Sequence, residues 1–229
     1  MLHLIRLELK KGRFSGYVWG ALTAYLIMAA LMATMYFVDA IEDNIFHGYA
    51  EMFTLIDTLV RVVFIVYAAV LISKLIIGEF KDKTIALLFA YPVNRKRLIF
   101  AKLSMVFAWT LANVILANLF VDAVFLALNS AVGYVTEPLE AELLARHGLN
   151  VLLQALGAAG MSLLPLAFGL RKKSVSTTIV SSILIVALVC SNNFGVSLSS
   201  IIAIPLSLSA LGILLTYLSF RNIDRVDVG

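Results

Sequence analysis

One cysteine in the whole chain, Cys190, rules out an internal disulfide and leaves packing as the ordinary role for that thiol. The three histidines, His3, His47 and His147, are too scattered to supply metal-ligand spacing. Charge is scarce as well: 14% of the residues are charged and 62% hydrophobic, whereas a soluble domain is about a quarter charged. A sizeable soluble domain is thereby excluded. There is no Gly-x-x-x-x-Gly-Lys-Ser/Thr phosphate loop and no room for an ATPase domain, so any ATP-driven work must draw on another chain. Ser162 follows Gly160 but lacks the second glycine of a nucleophile elbow, which argues against a membrane-embedded hydrolase. No basic stripe alternates with exposed aromatics, and nucleic acid is not an expected partner.

What remains is hydrocarbon. A spanning helix needs about 20 mostly apolar residues to cross roughly 30 Å, and six such runs are present in the 229 residues, at about 17–38, 55–77, 103–128, 149–170, 175–190 and 198–220. They are continuously apolar rather than alternating, which predicts helices and not barrel strands. The expectation is one all-α integral membrane domain over 1–229, with the first run retained as a span because it exceeds a signal-peptide core and no small-residue cleavage site follows it.

Lysine and arginine concentrate on the cytoplasmic side of membrane spans. Sixteen of the 18 basic residues fall before the first run, at the inner end of the second (Lys74), between the second and third, at Arg171–Lys173, or after the sixth; Arg61 lies well inside a run and Arg146 in an expected outer loop. The other connections carry Asp39, Glu42, Asp43, Glu51, Glu137, Glu140 and Glu142. Both termini are therefore expected in the cytoplasm, in contact with anionic lipid headgroups. Within 1–16, His3, Arg6, Lys10 and Arg13 share one helical stripe and Leu2, Ile5 and Leu9 an adjacent one, although Leu4 and Leu7 depart from it. This predicts either an amphipathic helix in the headgroup region or a basic lead-in to the first span.

The densest charge lies at 79–102. Glu79, Lys81, Asp82 and Lys83 precede Thr84-Ile-Ala-Leu-Leu-Phe-Ala, then Tyr91-Pro92 and Asn94-Arg95-Lys96-Arg97. Thr84 suits a helix start, Pro92 a stop, and Asn94 a cap on the next helix. Ile85, Leu87, Leu88 and Phe89 would then need covering, by the membrane surface or by a partner. The order Glu79, Thr84-Ile85, Leu87-Leu88, Tyr91-Pro92-Val93, Arg95 and Lys102 resembles the signature between the second and third spans of type 2 ABC-transporter permeases (ABC-2 family). Lys83 departs from it, standing where that pattern has glycine.

The resemblance implies that 79–102 is a cytoplasmic coupling helix which docks in a groove on a separate ATPase, and that 1–16 is an elbow helix. It further implies two ATPase subunits holding ATP and Mg, a second permease copy, identical or homologous, and a place in a bacterial plasma membrane. No cofactor is expected on this chain. Small outer loops and an aliphatic interior suit a hydrophobic or amphipathic cargo, such as an antimicrobial peptide or a drug, leaving by export; ions or lipids, a membrane-embedded enzyme, or a sensor without transport are the alternatives. Around residues 191–202 the resemblance allows re-entrant helices, and a short loop fits as well.

Ionisable groups inside spans cost about 2.5 to 3.5 kcal/mol at the centre on insertion scales and call for partners. Asp57 and Arg61 are four apart on the second span, Asp122 on the third sits at a matching depth, and Asn118 lies one turn before it. These residues predict a polar node in which Arg61 links Asp57 to Asp122, as a gate or a structural clamp. Asn113 and Gln154 are further inward candidates, and Gly157, Gly160 and Pro165 predict close packing and a bend in the fourth span.

Overall fold

The computed structural model describes residues 14–42, 48–78, 95–133, 135, 137–172, 174–190, 192–193, 196–197 and 203–221. Helix α1 is Phe14–Glu42, α2 Tyr49–Ile72 with a π-helical continuation Ser73–Ile77, α3 Arg95–Val132, α4 Ala141–Met161, α5 Leu164–Lys172, α6 Val175–Cys190 and α7 Ala203–Arg221. Four stretches are long and apolar enough to cross a membrane, Ser15–Val38, Tyr49–Ile77, Leu98–Val132 and Ala141–Lys172, and two shorter apolar helices, Val175–Cys190 and Ala203–Ser219, complete a set of six. At 1.5 Å per residue α6 reaches only about 24 Å.

Helix α3 begins at Arg95, directly after the expected cap Asn94 and eight residues before the third apolar run, so Arg95–Lys102 form its first turns. One boundary differs from the sequence reading. Helix α4 begins at Ala141, eight residues before the expected span, which puts Arg146 in a helix and not in a loop. The cause is local charge. Glu142 lies in the first turn, where the helix dipole favours an anion, and Arg146 pairs with it one turn later. A hydropathy count sees only the apolar remainder. The expected elbow, as far as residue 13, and the coupling residues Glu79, Thr84, Ile85, Leu87, Leu88, Phe89, Tyr91 and Pro92 lie outside the described residues.

The expected bend is present. Helix α4 stops at Ser162–Leu163, and Pro165, which has no amide hydrogen to give, occupies the first turn of α5, where that loss is tolerated. Beyond α6, Asn192–Asn193 pairs antiparallel with Val196–Ser197.

Chain direction alternates, so Lys74, Lys102, Arg171 and Lys172 gather at one end of the bundle, here called the basic end. Tyr49, Val135 and Glu140 mark the far end. Helix α1 is peripheral, with 22% of its apolar window buried, whereas the α4–α5 stretch buries 72%. The far half of the core is aromatic: the Phe125 ring meets Tyr36, Tyr49 and Phe53 at centroid distances of 6.0 Å each, all near edge-on. The basic half is aliphatic, built on Leu71, Ile72, Ile76, Ile99, Leu103 and Leu166.

Helices α4 and α7 approach closely along a seam of missing side chains. A Cβ placed on Gly157 would stand 2.9 Å from the Pro205 Cβ; one on Gly160 would stand 1.8 Å from the Ser209 Oγ and 2.8 Å from its Cα; one on Gly212 would stand 2.4 Å from the Gly160 carbonyl oxygen. Ser209 donates to the Leu156 carbonyl at 3.4 Å and Thr216 to the Leu163 carbonyl at 3.2 Å. Small residues let the backbones meet where hydrocarbon on both sides offers no hydrophobic drive to associate.

Candidate functional site

Toward the far end, α2, α3 and α4 bring several polar side chains into an apolar surround. Arg61 is 3% exposed, Asn118 1% and Asp122 9%. Asp122 Oδ2 lies 2.9 Å from His147 Nε2, and the His147 ring stacks on Phe53 with centroids 4.2 Å apart and planes 15° from parallel. Asp57 lies within electrostatic range of His147, Arg61 and Asp122, and Arg61 within range of Cys190 on α6. The node is thus assembled from four helices.

Its wiring differs from the simplest reading of the sequence. Among the described residues Asp122 pairs with His147, and no ion pair joins Arg61 to either Asp57 or Asp122. The Arg61 Nε and Nη1 atoms, together with an Oδ1 on each of Asp57, Asn118 and Asp122, make no hydrogen bond. A buried polar group without a partner costs about 1–3 kcal/mol. Donors and acceptors left over in one region form a set that bridging water satisfies well. Asn118 spends its Nδ2 on the Val114 carbonyl of its own helix, at 2.9 Å.

Deeper toward the far end lies a residue that sequence reading passed over. Asn129 Oδ1 accepts from the Tyr36 hydroxyl at 2.9 Å and from the Val135 amide at 3.0 Å, while its Nδ2 donates to the Tyr49 hydroxyl at 2.8 Å and the Val135 carbonyl at 3.1 Å. One amide ties α1, α2, α3 and the loop after α3. The signal was available: positions 118, 122, 125 and 129 fall on one face of a helix at 100° per residue, so the Asn118–Asp122 stripe extends to Asn129. Asn113 joins α1 to α3, accepting from the Tyr25 hydroxyl at 2.7 Å and donating to the Trp109 carbonyl at 2.8 Å. Gln154 is buried on α4. His147 became visible only once α4 was known to start at Ala141. No group of three His, Cys, Asp or Glu among the described residues could hold a metal ion.

At the basic end the ends of α2 and α3 meet. The Ser73–Ile77 segment is wound as a π-helix, and the Gly78 amide reaches back five residues to the Ser73 carbonyl. Such wide turns shift the carbonyls out of the regular ladder and are frequent at functional positions. The buried Lys102 of α3 donates its Nζ to the Leu75 carbonyl at 2.9 Å; hydrogen bonds from charged donors are among the stronger ones. Lys74 holds its ammonium 5.7 Å above the centre of the Tyr17 ring, and the Tyr67 hydroxyl donates to the Tyr17 carbonyl at 2.7 Å. Both strands that lead into residues 79–94 are therefore fixed to the bundle at their roots. Arg95, expected to face a partner, is the first residue of α3.

Residues 4–191 match the family described as ABC-2 family transporter protein. The chain belongs to the ABC-2 transporter family. The matched span of this ABC-2 protein includes the node, the α2–α3 junction and the block at 79–94, and stops before α7. A relative from Bacillus subtilis (strain 168), the uncharacterized protein YcbO, is 40% identical over 227 residues, covering 99% of this chain and all of its own length, so the likeness to it does extend through α7. No solved structure gives a significant match. As an ABC-2 protein the chain is a multi-pass membrane component without an ATPase of its own.

Proposed function

We propose that this chain is the permease subunit of an ATP-driven exporter in a bacterial plasma membrane, moving a hydrophobic or amphipathic cargo such as a peptide or a drug. It works with two copies of a separate ABC ATPase, which carry the ATP and Mg, and with a second permease copy, identical or homologous. Residues 79–94 form the coupling element. Ile85, Leu87, Leu88 and Phe89 supply the apolar anchors for a groove on the ATPase, with Glu79, Thr84, Tyr91, Pro92 and Arg95 orienting them, and 1–16 acts as the elbow.

The observation that carries this reading is the anchored junction: the signature-like block joins two helix ends that Lys102 fastens together through the Leu75 carbonyl. A push on the block would reach α2 and α3 directly, and those two helices carry Arg61 and Asp122 at their other end. The test replaces Leu88 with Asp in the chain co-expressed with an ATPase encoded beside it. Loss of both co-purification and cargo-dependent ATP hydrolysis is the expected result; unchanged behaviour contradicts the reading.

The node at Asp57, Arg61, Asn118, Asp122 and His147 is the part of the path that changes state. Its leftover donors and acceptors favour a gate over a fixed clamp, since a clamp would use them. Exchanging Arg61 and Asp122 is expected to restore part of the transport lost in either single replacement, because the pair shares one polar region even without direct contact.

A further inference from the structure

Beside the short turn that joins α5 to α6, the two helices leave a groove of about 620 Å³ at the basic end. Arg171 and Lys172, in the last turn of α5, stand at its rim with Ser176 and Thr177 of the first turn of α6. Along α6 the lining continues through Val180, Ser181, Leu184 and Ile185, mostly hydrocarbon, with Phe168 of α5 opposite. Positions 176, 180 and 184 lie on one face of α6, so this face runs from hydroxyl to aliphatic over about 12 Å. Among the described residues no aspartate or glutamate lines the groove, and neither Arg171 nor Lys172 forms an ion pair. Two cations with no carboxylate among the described lining residues thus cap a largely apolar slot whose lining runs about 12 Å along α6.

We propose that this groove is a binding site for one anionic phospholipid of the leaflet at the basic end. Its phosphate sits between Arg171, Lys172 and the α6 hydroxyls, where the helix dipole also favours a negative charge, and one acyl chain lies along Val180 and Leu184. The basic rim accounts for the charge of the headgroup, and the depth accounts for a chain rather than a free anion. Bound there, the lipid would brace α5 against α6, the two helices that follow the Ser162–Leu163 break.

The full-length chain is purified in detergent with equal amounts of phosphatidylglycerol and phosphatidylcholine, and the lipid retained is read by native mass spectrometry. Retention of one phosphatidylglycerol per chain, in preference to phosphatidylcholine, is expected. Arg171→Gln with Lys172→Gln should reduce retention about 30-fold, the effect of two basic residues at the surface. Val180→Trp, which fills the slot and leaves the charges in place, should also weaken it, whereas Arg225→Gln, a basic residue elsewhere in the chain, should not. Millimolar inorganic phosphate should fail to displace the lipid. Equal retention of the two lipids, undiminished retention in both the double variant and Val180→Trp, displacement by phosphate, or a wild-type chain that keeps no lipid because a second copy fills the groove would each overturn the proposal.

Discussion

The two halves of α4 are held in opposite ways. Its first half meets the bundle through a side chain, His147, stacked on Phe53 and bonded to Asp122, in a region where several polar atoms have no partner. Its second half meets α7 through the lack of side chains, with Gly157 and Gly160 set against Pro205, Ser209 and Gly212. The glycine seam has one arrangement because backbone touches backbone. The node admits several, because its donors and acceptors outnumber its bonds. In a machine that must open and close, the seam is suited to carry a rigid body and the node to be the place where bodies part.

The comparison breaks most visibly at Gly160. Gly160→Leu must push α7 away from α4, and overpacking of this kind costs about 1–3 kcal/mol or more; loss of the monodisperse peak in size-exclusion chromatography is expected, and a well-behaved variant would show that the seam is not close-packed. Next comes Asn129→Leu, which removes the amide bonded to two tyrosine hydroxyls and to both backbone groups of Val135. A loss of about 2 kcal/mol should lower the thermal midpoint by several degrees, without changing which partners co-purify. A double-mutant cycle on Asp122→Ala and His147→Ala should return a smaller coupling, about 0.6 kcal/mol and under about 1.7, in line with interhelical hydrogen bonds in membranes. The smallest effect belongs to Ser209→Ala. Its 3.4 Å bond to Leu156 is long, so a change within about 0.5 kcal/mol is expected; a larger one would mean that the seam rests on hydrogen bonding rather than on space.

Much of this contrast was legible in the sequence. Gly157, Gly160 and Pro165 announced the close approach and the bend, because glycine and proline act through the backbone and need no knowledge of their neighbours. Six apolar runs announced six helices. The node was only half legible: Asp57, Arg61, Asn118 and Asp122 stand out as polar residues in apolar runs, but which of them touch depends on helix rotation. His147 escaped because the charged first turns of α4 hide a helix from a hydropathy count. Asn129 escaped because an amide near the end of an apolar run reads as an interface residue, although its helical phase with Asn118 and Asp122 marks it as inward. The π-helical turn at Ser73–Ile77 has no signal in its residues, Ser-Lys-Leu-Ile-Ile, and follows from tertiary context.

The central claim is that residues 79–94 take force from an ATPase and hand it to α2 and α3. Cysteine cross-linking tests it most directly. In a chain with Cys190→Ser, Leu88→Cys is introduced, the protein is purified with its ATPase in a complex that hydrolyses ATP, and a short bifunctional thiol reagent is added. A covalent product joining the two chains, with ATP hydrolysis blocked by the link, is the predicted result. An active complex in which the thiol at position 88 stays freely reactive and never joins the ATPase would contradict the account.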